Sequence, residues 1–117
     1  MSITLNTLTY SQDSFANPNK VIYTGPVNTF SIKDLLILGR VAPKPTSTFR
    51  GIARSQVKRT QTVVLDDGSY ADAIITVDFS FPVGMTQAVA DNLRNDVGDF
   101  VISSDAGTLT WNHDLTY

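Results

Sequence analysis

The chain contains no cysteine. That absence excludes disulfide frameworks, thiolate zinc sites, thiol redox pairs and cysteine nucleophiles, and it fits a protein made in the cytosol. Glutamate is also missing: all eleven acids are aspartate. One histidine is present, His113, beside Asp114 near the end of the chain. A nucleophile, its base and an orienting group must converge, and a lone histidine on a terminal segment offers no such set, so no catalytic residue is assigned and the chain is not expected to be an enzyme. Asp66-Asp67-Gly68 lacks the spaced oxygen ligands and closing glutamate of a calcium loop and is read as a turn, which leaves no metal or cofactor to expect. No apolar run approaches the ~20 residues of a membrane span, and residues 1–20 lack a basic start followed by an apolar core. The expectation is a soluble chain without an export leader, a membrane partner or a small-molecule substrate.

What the chain does contain is enough for a core. Its 117 residues, 42% of them hydrophobic, suit one domain spanning 1–117. The net charge is -2, yet the charge is unevenly placed. Arg40, Lys44, Arg50, Arg54, Lys58 and Arg59 follow one another with no acid between them, whereas nine aspartates beyond Arg59 face only Arg94 and His113. One face can therefore collect cations, and a polyanionic partner is compatible with an acidic chain.

The pattern then predicts a mostly antiparallel sheet. "ITLNTLTY" and "VIYTG", separated by the turn-like "SQDSFANPNK", read as an N-terminal hairpin, and "DLLILGRVA" reads as a strand over about 34–42, ended by Pro43 and Pro45. Residues 48–65 and 69–81 both alternate around Asp66-Asp67-Gly68 and read as one long hairpin. A three-residue loop pairing Leu65 with Ser69 keeps each face uniform, with Val57 opposite Val77, Ser55 opposite Phe79, Ala53 opposite Phe81 and Arg54 opposite Ser80. One face is then apolar and small. The other carries Arg50, Arg54, Gln56 and Lys58 beside Tyr70, Asp72, Thr76 and Asp78. Asp72 and Asp78 are expected to pair with Arg54 and Lys58 across the strands. Arg59 falls on the apolar side, which calls for a bulge, a sheet margin or a snorkelling side chain.

After Pro82 the period lengthens to about 3.6 residues: Met85, Val89, Leu93, Val97 and Phe100 mark one stripe of a helix ending near Ser103, where "SSDAG" brings breakers. The tail "TLTWNHDLTY" is compatible with an extended, irregular or short helical segment, with Trp111 and Tyr117 as anchors. The architecture is thus α+β, with about five antiparallel strands and a C-terminal helix. Such a sheet is roughly 20 to 25 Å wide, and one helix covers only about 10 to 12 Å. A homodimer in which each helix packs over the partner's sheet would cover the remainder.

An N-terminal hairpin, basic alternating strands, a last strand "YADAIITVDFSFP" and a C-terminal helical segment resemble the coat proteins of single-stranded RNA bacteriophages, the levivirus group. The resemblance lies in element order over nearly the whole chain. It implies a capsid protein, made in the cytoplasm of a bacterial host and located in the virion, that dimerises and builds an icosahedral shell around genomic single-stranded RNA, with a hairpin operator as a further RNA partner. It places RNA contacts at Arg40, Arg50, Arg54, Gln56, Lys58, Tyr70, Asp72 and Thr76, and dimer packing at the helical stripe. Two features depart from the family: the loop "LDDGS" is shorter than in better-known members, and "GTLTWNHDLTY" does not read clearly as their second short helix. The alternative is a small non-capsid β-sheet RNA-binding regulator.

Overall fold

The computed structural model describes residues 2–115, so Tyr117, expected to anchor the tail, lies outside the described residues. Six strands, β1 (Ser2–Leu5), β2 (Leu8–Asn17), β3 (Lys20–Thr24), β4 (Asp34–Val41), β5 (Ile52–Val64) and β6 (Tyr70–Pro82), form one antiparallel sheet in sequential order. Helices α1 (Gln87–Val101) and α2 (Ser104–Asn112) follow. The strands and the helices form two compact units, divided between Val83 and Gly84.

The sixth strand arises at the N-terminus, where the expected first strand is two. Asn6 and Thr7 both adopt positive φ (49° and 70°), the backbone of the tight turn whose twist matches a hairpin, so "ITLNTLTY" folds back on itself. "SQDSF" is strand rather than turn: β2 runs to Asn17, and the reversal is confined to Pro18-Asn19, with the Asn17 side chain accepting from the Asn19 amide. A bulge after Gln12 lets β2 continue while shifting its register on β3.

The β5–β6 hairpin has the register read from the sequence: Val57 opposite Val77, Ser55 opposite Phe79, Ala53 opposite Phe81 and Arg54 opposite Ser80. Its loop closes through the Leu65 amide on the Ser69 carbonyl, with Gly68 at φ 85° and Asp67 accepting from Ser69. Pairing is continuous through Arg59, with no bulge.

Arg59 instead supplies the charge at the centre of the core. Tyr10, Tyr23 and Leu36 are buried, with Ile3, Leu5, Val21, Leu38 and Val57 packed around them. Within this cluster the Arg59 guanidinium lies 2.6 Å from the carboxylate of Asp34, which is 1% exposed, and stacks 5.0 Å from the Tyr10 ring centroid. It also donates to the carbonyls of Leu35 and Thr60. Tyr10 donates its hydroxyl to Asp34, whose other oxygen accepts from the Val27 amide. In a flat sheet β2 and β5, three strand spacings apart, would stand about 14 Å from each other. The Tyr10–Arg59 contact spans that distance across the curled sheet. Burial and the hydrogen bond to Asp34 both raise the Tyr10 pKa, because ionisation would place a second negative charge beside the carboxylate. Gly25 makes the arrangement possible, since a Cβ there would overlap both the Asp34 carboxylate and the Tyr10 ring.

The helices are set by caps. Thr86 accepts from the Val89 amide at the start of α1. Ser103 ends one helix and begins the next: its hydroxyl donates to the Phe100 carbonyl and accepts from the Ala106 amide. The break between the two helices is confined to Ile102 and Ser103, so the expected breaker "SDAG" is instead the first turn of α2, and the tail is helical up to His113, which closes α2 in the left-handed conformation (φ 56°).

Replacing Arg59 with Met should leave Asp34 buried without its counter-charge and destabilise the fold by about 3 kcal/mol, the lower end for a broken buried pair because the Arg59 side chain is 24% exposed. Urea unfolding measures this. An unchanged midpoint would mean that Tyr10 and the loop amide suffice to hold the carboxylate.

Candidate nucleic-acid interface

Opposed residues of an antiparallel pair share a face, so the registers sort the sheet into two sides. One side carries the Tyr10–Leu36–Arg59 core and, on β5 and β6, the small and apolar residues Ala53, Ser55, Ala71, Ala73, Ile75, Phe79 and Phe81. The other carries Arg54, Gln56 and Lys58 on β5 with Tyr70, Asp72, Thr76 and Asp78 on β6. Six of the eight residues assigned to RNA contact, namely Arg54, Gln56, Lys58, Tyr70, Asp72 and Thr76, are thus brought to one surface.

Two are not. Arg40 pairs with Ser55, and Val41 with Arg54, so even residues of β4 stand with odd residues of β5. Arg40 projects on the apolar side, where its guanidinium donates to Asn19. Arg50 precedes β5, beyond Gly51 at φ 96°, and the strand alternation does not reach it. Its segment is folded back tightly: Thr46 and Phe49 exchange hydrogen bonds, and a Cβ on Gly51 would press on the Lys44 backbone.

Lys20 joins the polar side, a cation that sequence reasoning missed. It pairs with Gly39, which pairs with Gln56, which pairs with Asp78. Because Gly39 has no side chain, the sheet is indented there, and the end of Lys20 lies 3.6 Å from where its Cβ would be. A cavity of about 780 Å³ opens among the residues around it, including Lys20, Arg54, Gln56 and Asp78. The signal available in the sequence was the glycine in "LLILGRV", a gap in an otherwise bulky strand.

The carboxylates on this side are engaged, but not by the expected partners. Asp78 accepts from the Gln56 amide at 2.9 Å, and Asp72 accepts from the Thr62 hydroxyl at 2.8 Å and pairs with Lys33 at 3.5 Å. Arg54 and Lys58 have no carboxylate partner among the described residues. The Thr62 hydrogen bond, aided by Lys33, lowers the Asp72 pKa below its ordinary value. Tyr70 is 64% exposed near the hairpin loop.

The apolar side is only partly covered. Ile75 is 62% exposed and the Phe79–Phe81 ring pair is half-buried. The α1 stripe is also uncovered: Val89, Leu93, Val97 and Phe100 are 42 to 53% exposed, no residue of α1 is buried, and Met85 is half-buried just before the helix.

No protein-family model matches the chain, and no curated protein matches its sequence. Its similarity to solved structures is pronounced. A subunit of the virus-like particle of Beihai levi-like virus 32 superposes with a TM-score of 0.86 at 16% identity, over 96% of this chain and 91% of that one. The fold is that of levivirus coat proteins. The particle of Wenzhou levi-like virus 4 gives a TM-score of 0.80 at 16% identity over 92% and 77% of the two chains. That of bacteriophage GQ-907 gives 0.80 at 14% identity over 99% and 90%. The levivirus-like fold thus includes both the curled sheet and a helical second unit.

Removing the hydroxyl with Thr62→Val should move the Asp72 pKa upward, toward an ordinary carboxylate, in an NMR pH titration. Since the folded-state value is lowered, any stability Asp72 contributes is present above the ordinary carboxylate range and is lost as pH falls through the folded value. An unchanged Asp72 titration in the variant would assign the shift to Lys33 instead.

Proposed function

We propose that this chain is the coat protein of a single-stranded RNA phage, a structural subunit acting as one coat-protein domain. It dimerises, assembles into a closed icosahedral shell in the virion after synthesis in the bacterial cytoplasm, and holds RNA against the polar side of its sheet. The observation that carries this reading is the TM-score of 0.86 to a virus-like-particle subunit over 96% of the chain. Two surface properties support it. The uncovered apolar half of the sheet and the uncovered α1 stripe are complementary in character, and exchange between two copies would bury both. On the opposite side Lys20, Arg54 and Lys58 line a surface of strand residues with no carboxylate partner for either β5 cation.

RNA would meet this surface in two ways. Phosphates displace their counterions on Lys20, Arg54 and Lys58, a sequence-independent contribution. Unpaired bases have the indentation over Gly39, where the Gln56 amide is oriented by Asp78, and the exposed Tyr70 ring for stacking.

Expression in bacteria should yield closed particles in negative-stain micrographs, with nuclease-protected host RNA measured by absorbance. Soluble protein that binds RNA but never forms particles would support the small-regulator alternative. Within the capsid reading, Arg54→Ala and Lys58→Ala should each flatten the slope of log affinity against log salt for single-stranded RNA by about 0.7, one phosphate contact apiece, with the dimer intact. Unchanged slopes for both would move RNA off this side of the sheet.

A further inference from the structure

Arg40 is a cation on the wrong side for RNA. The β4–β5 register sets it beside Ser55 on the apolar side, and its side chain is exposed, with Asn19 its hydrogen-bond partner and no ion-pair partner among the described residues. Next to it lies a groove of about 260 Å³ lined by Phe15, Val21 and Leu38, with Asn19 and Arg40 itself also in its wall. An apolar groove with a cation at its rim fits an amphipathic helix that carries a carboxylate at the edge of its apolar stripe.

The helix α1 has one such residue. At roughly 100° per residue, Asp96 lies about 60° around the helix from Leu93, on the border of the stripe, while Asp91 and Asp99 turn toward the far side. Asp91 is also engaged by Arg94 at 3.2 Å. The Asp96 side chain is exposed and has no ion pair or hydrogen bond among the described residues. Neither has an ion-pair partner among the described residues, the two are of opposite sign, and both are set at the margins of apolar surfaces that lack covers.

We infer that Arg40 of one copy pairs with Asp96 of a second copy when α1 seats on the apolar side of the partner's sheet, fixing the helix's position along that surface. The inference rests on the dimeric reading above and adds the residue pair that sets its register. Apolar contact between a smooth stripe and small residues such as Ala53 and Ser55 tolerates sliding; a charge pair at the rim does not, because each displaced charge loses its partner at a partly dehydrated margin.

The test is a charge exchange read by dimer dissociation in sedimentation equilibrium, with circular dichroism confirming the fold of each variant. Arg40→Asp and Asp96→Arg should each weaken the dimer about tenfold or more, and the double exchange should restore most of the affinity. Asp99→Arg, on the far side of α1, should change it little. Single exchanges without effect, or a double variant as weak as the two losses added together, would overturn the pair while leaving the dimer itself in place. A wild-type chain that stays monomeric at micromolar concentration would overturn the dimeric reading and the pair with it. Because Arg40 is assigned away from RNA, the double exchange should also leave the salt slope of RNA binding unchanged, and a slope reduced as in Arg54→Ala would return Arg40 to the RNA-binding side.

Discussion

The register between β4 and β5 decides what each side of the sheet is for. With Leu36 opposite Arg59 and Leu38 opposite Val57, these two leucines of β4 join the small and apolar side of the long hairpin, while Leu35 and Ile37 stand with Thr60 and Lys58 on the other. A slip of one residue would send Leu36 and Leu38 to the side of Lys58 and Gln56, and would carry Asp34 away from its counter-charge. The core, the cationic surface and the uncovered apolar half all follow from this one alignment.

The Asp34–Arg59 pair marks the same alignment electrostatically. A buried pair is a poor source of stability, since dehydrating both charges offsets most of their attraction, but it strongly disfavours arrangements that separate them. Here the carboxylate also collects the Tyr10 hydroxyl and the Val27 amide, and the Asn28 side chain accepts from the Asp34 amide. One residue therefore ties together β2, β4, β5 and the connection after β3.

Much of this was legible in order. Alternation and the short Asp66-Asp67-Gly68 loop determined the hairpin register residue by residue, because a three-residue loop and a period of two leave little freedom. The α1 stripe was legible for the same kind of reason. The extra N-terminal strand was not, since Asn6-Thr7 is a weak turn signal whose Thr must accept a left-handed backbone. Nor was α2, because Ser103 serves as a stop for one helix and a start for the next and reads from sequence as a breaker only. Among the residues assigned to RNA, those within the hairpin share one side as their parity required; Arg40, on β4, stands on the other, and Arg50 lies beyond the strand pairing.

By itself, the sequence determined the periodic elements, the charge segregation and the excess of apolar surface over what one helix can cover, all of which depend on neighbours a few positions apart. Tertiary structure alone decided which parity of β4 meets which parity of β5, because the connection over residues 42–51 is long enough to leave the offset open, and the offset adopted is the one that buries Asp34 against Arg59. That offset, with the β3–β4 register, set Lys20 and Gln56 on either side of Gly39, turned Arg40 to the apolar side and made Arg59 a partner for Asp34, since a shift of one residue in a ladder exchanges the two faces of a strand.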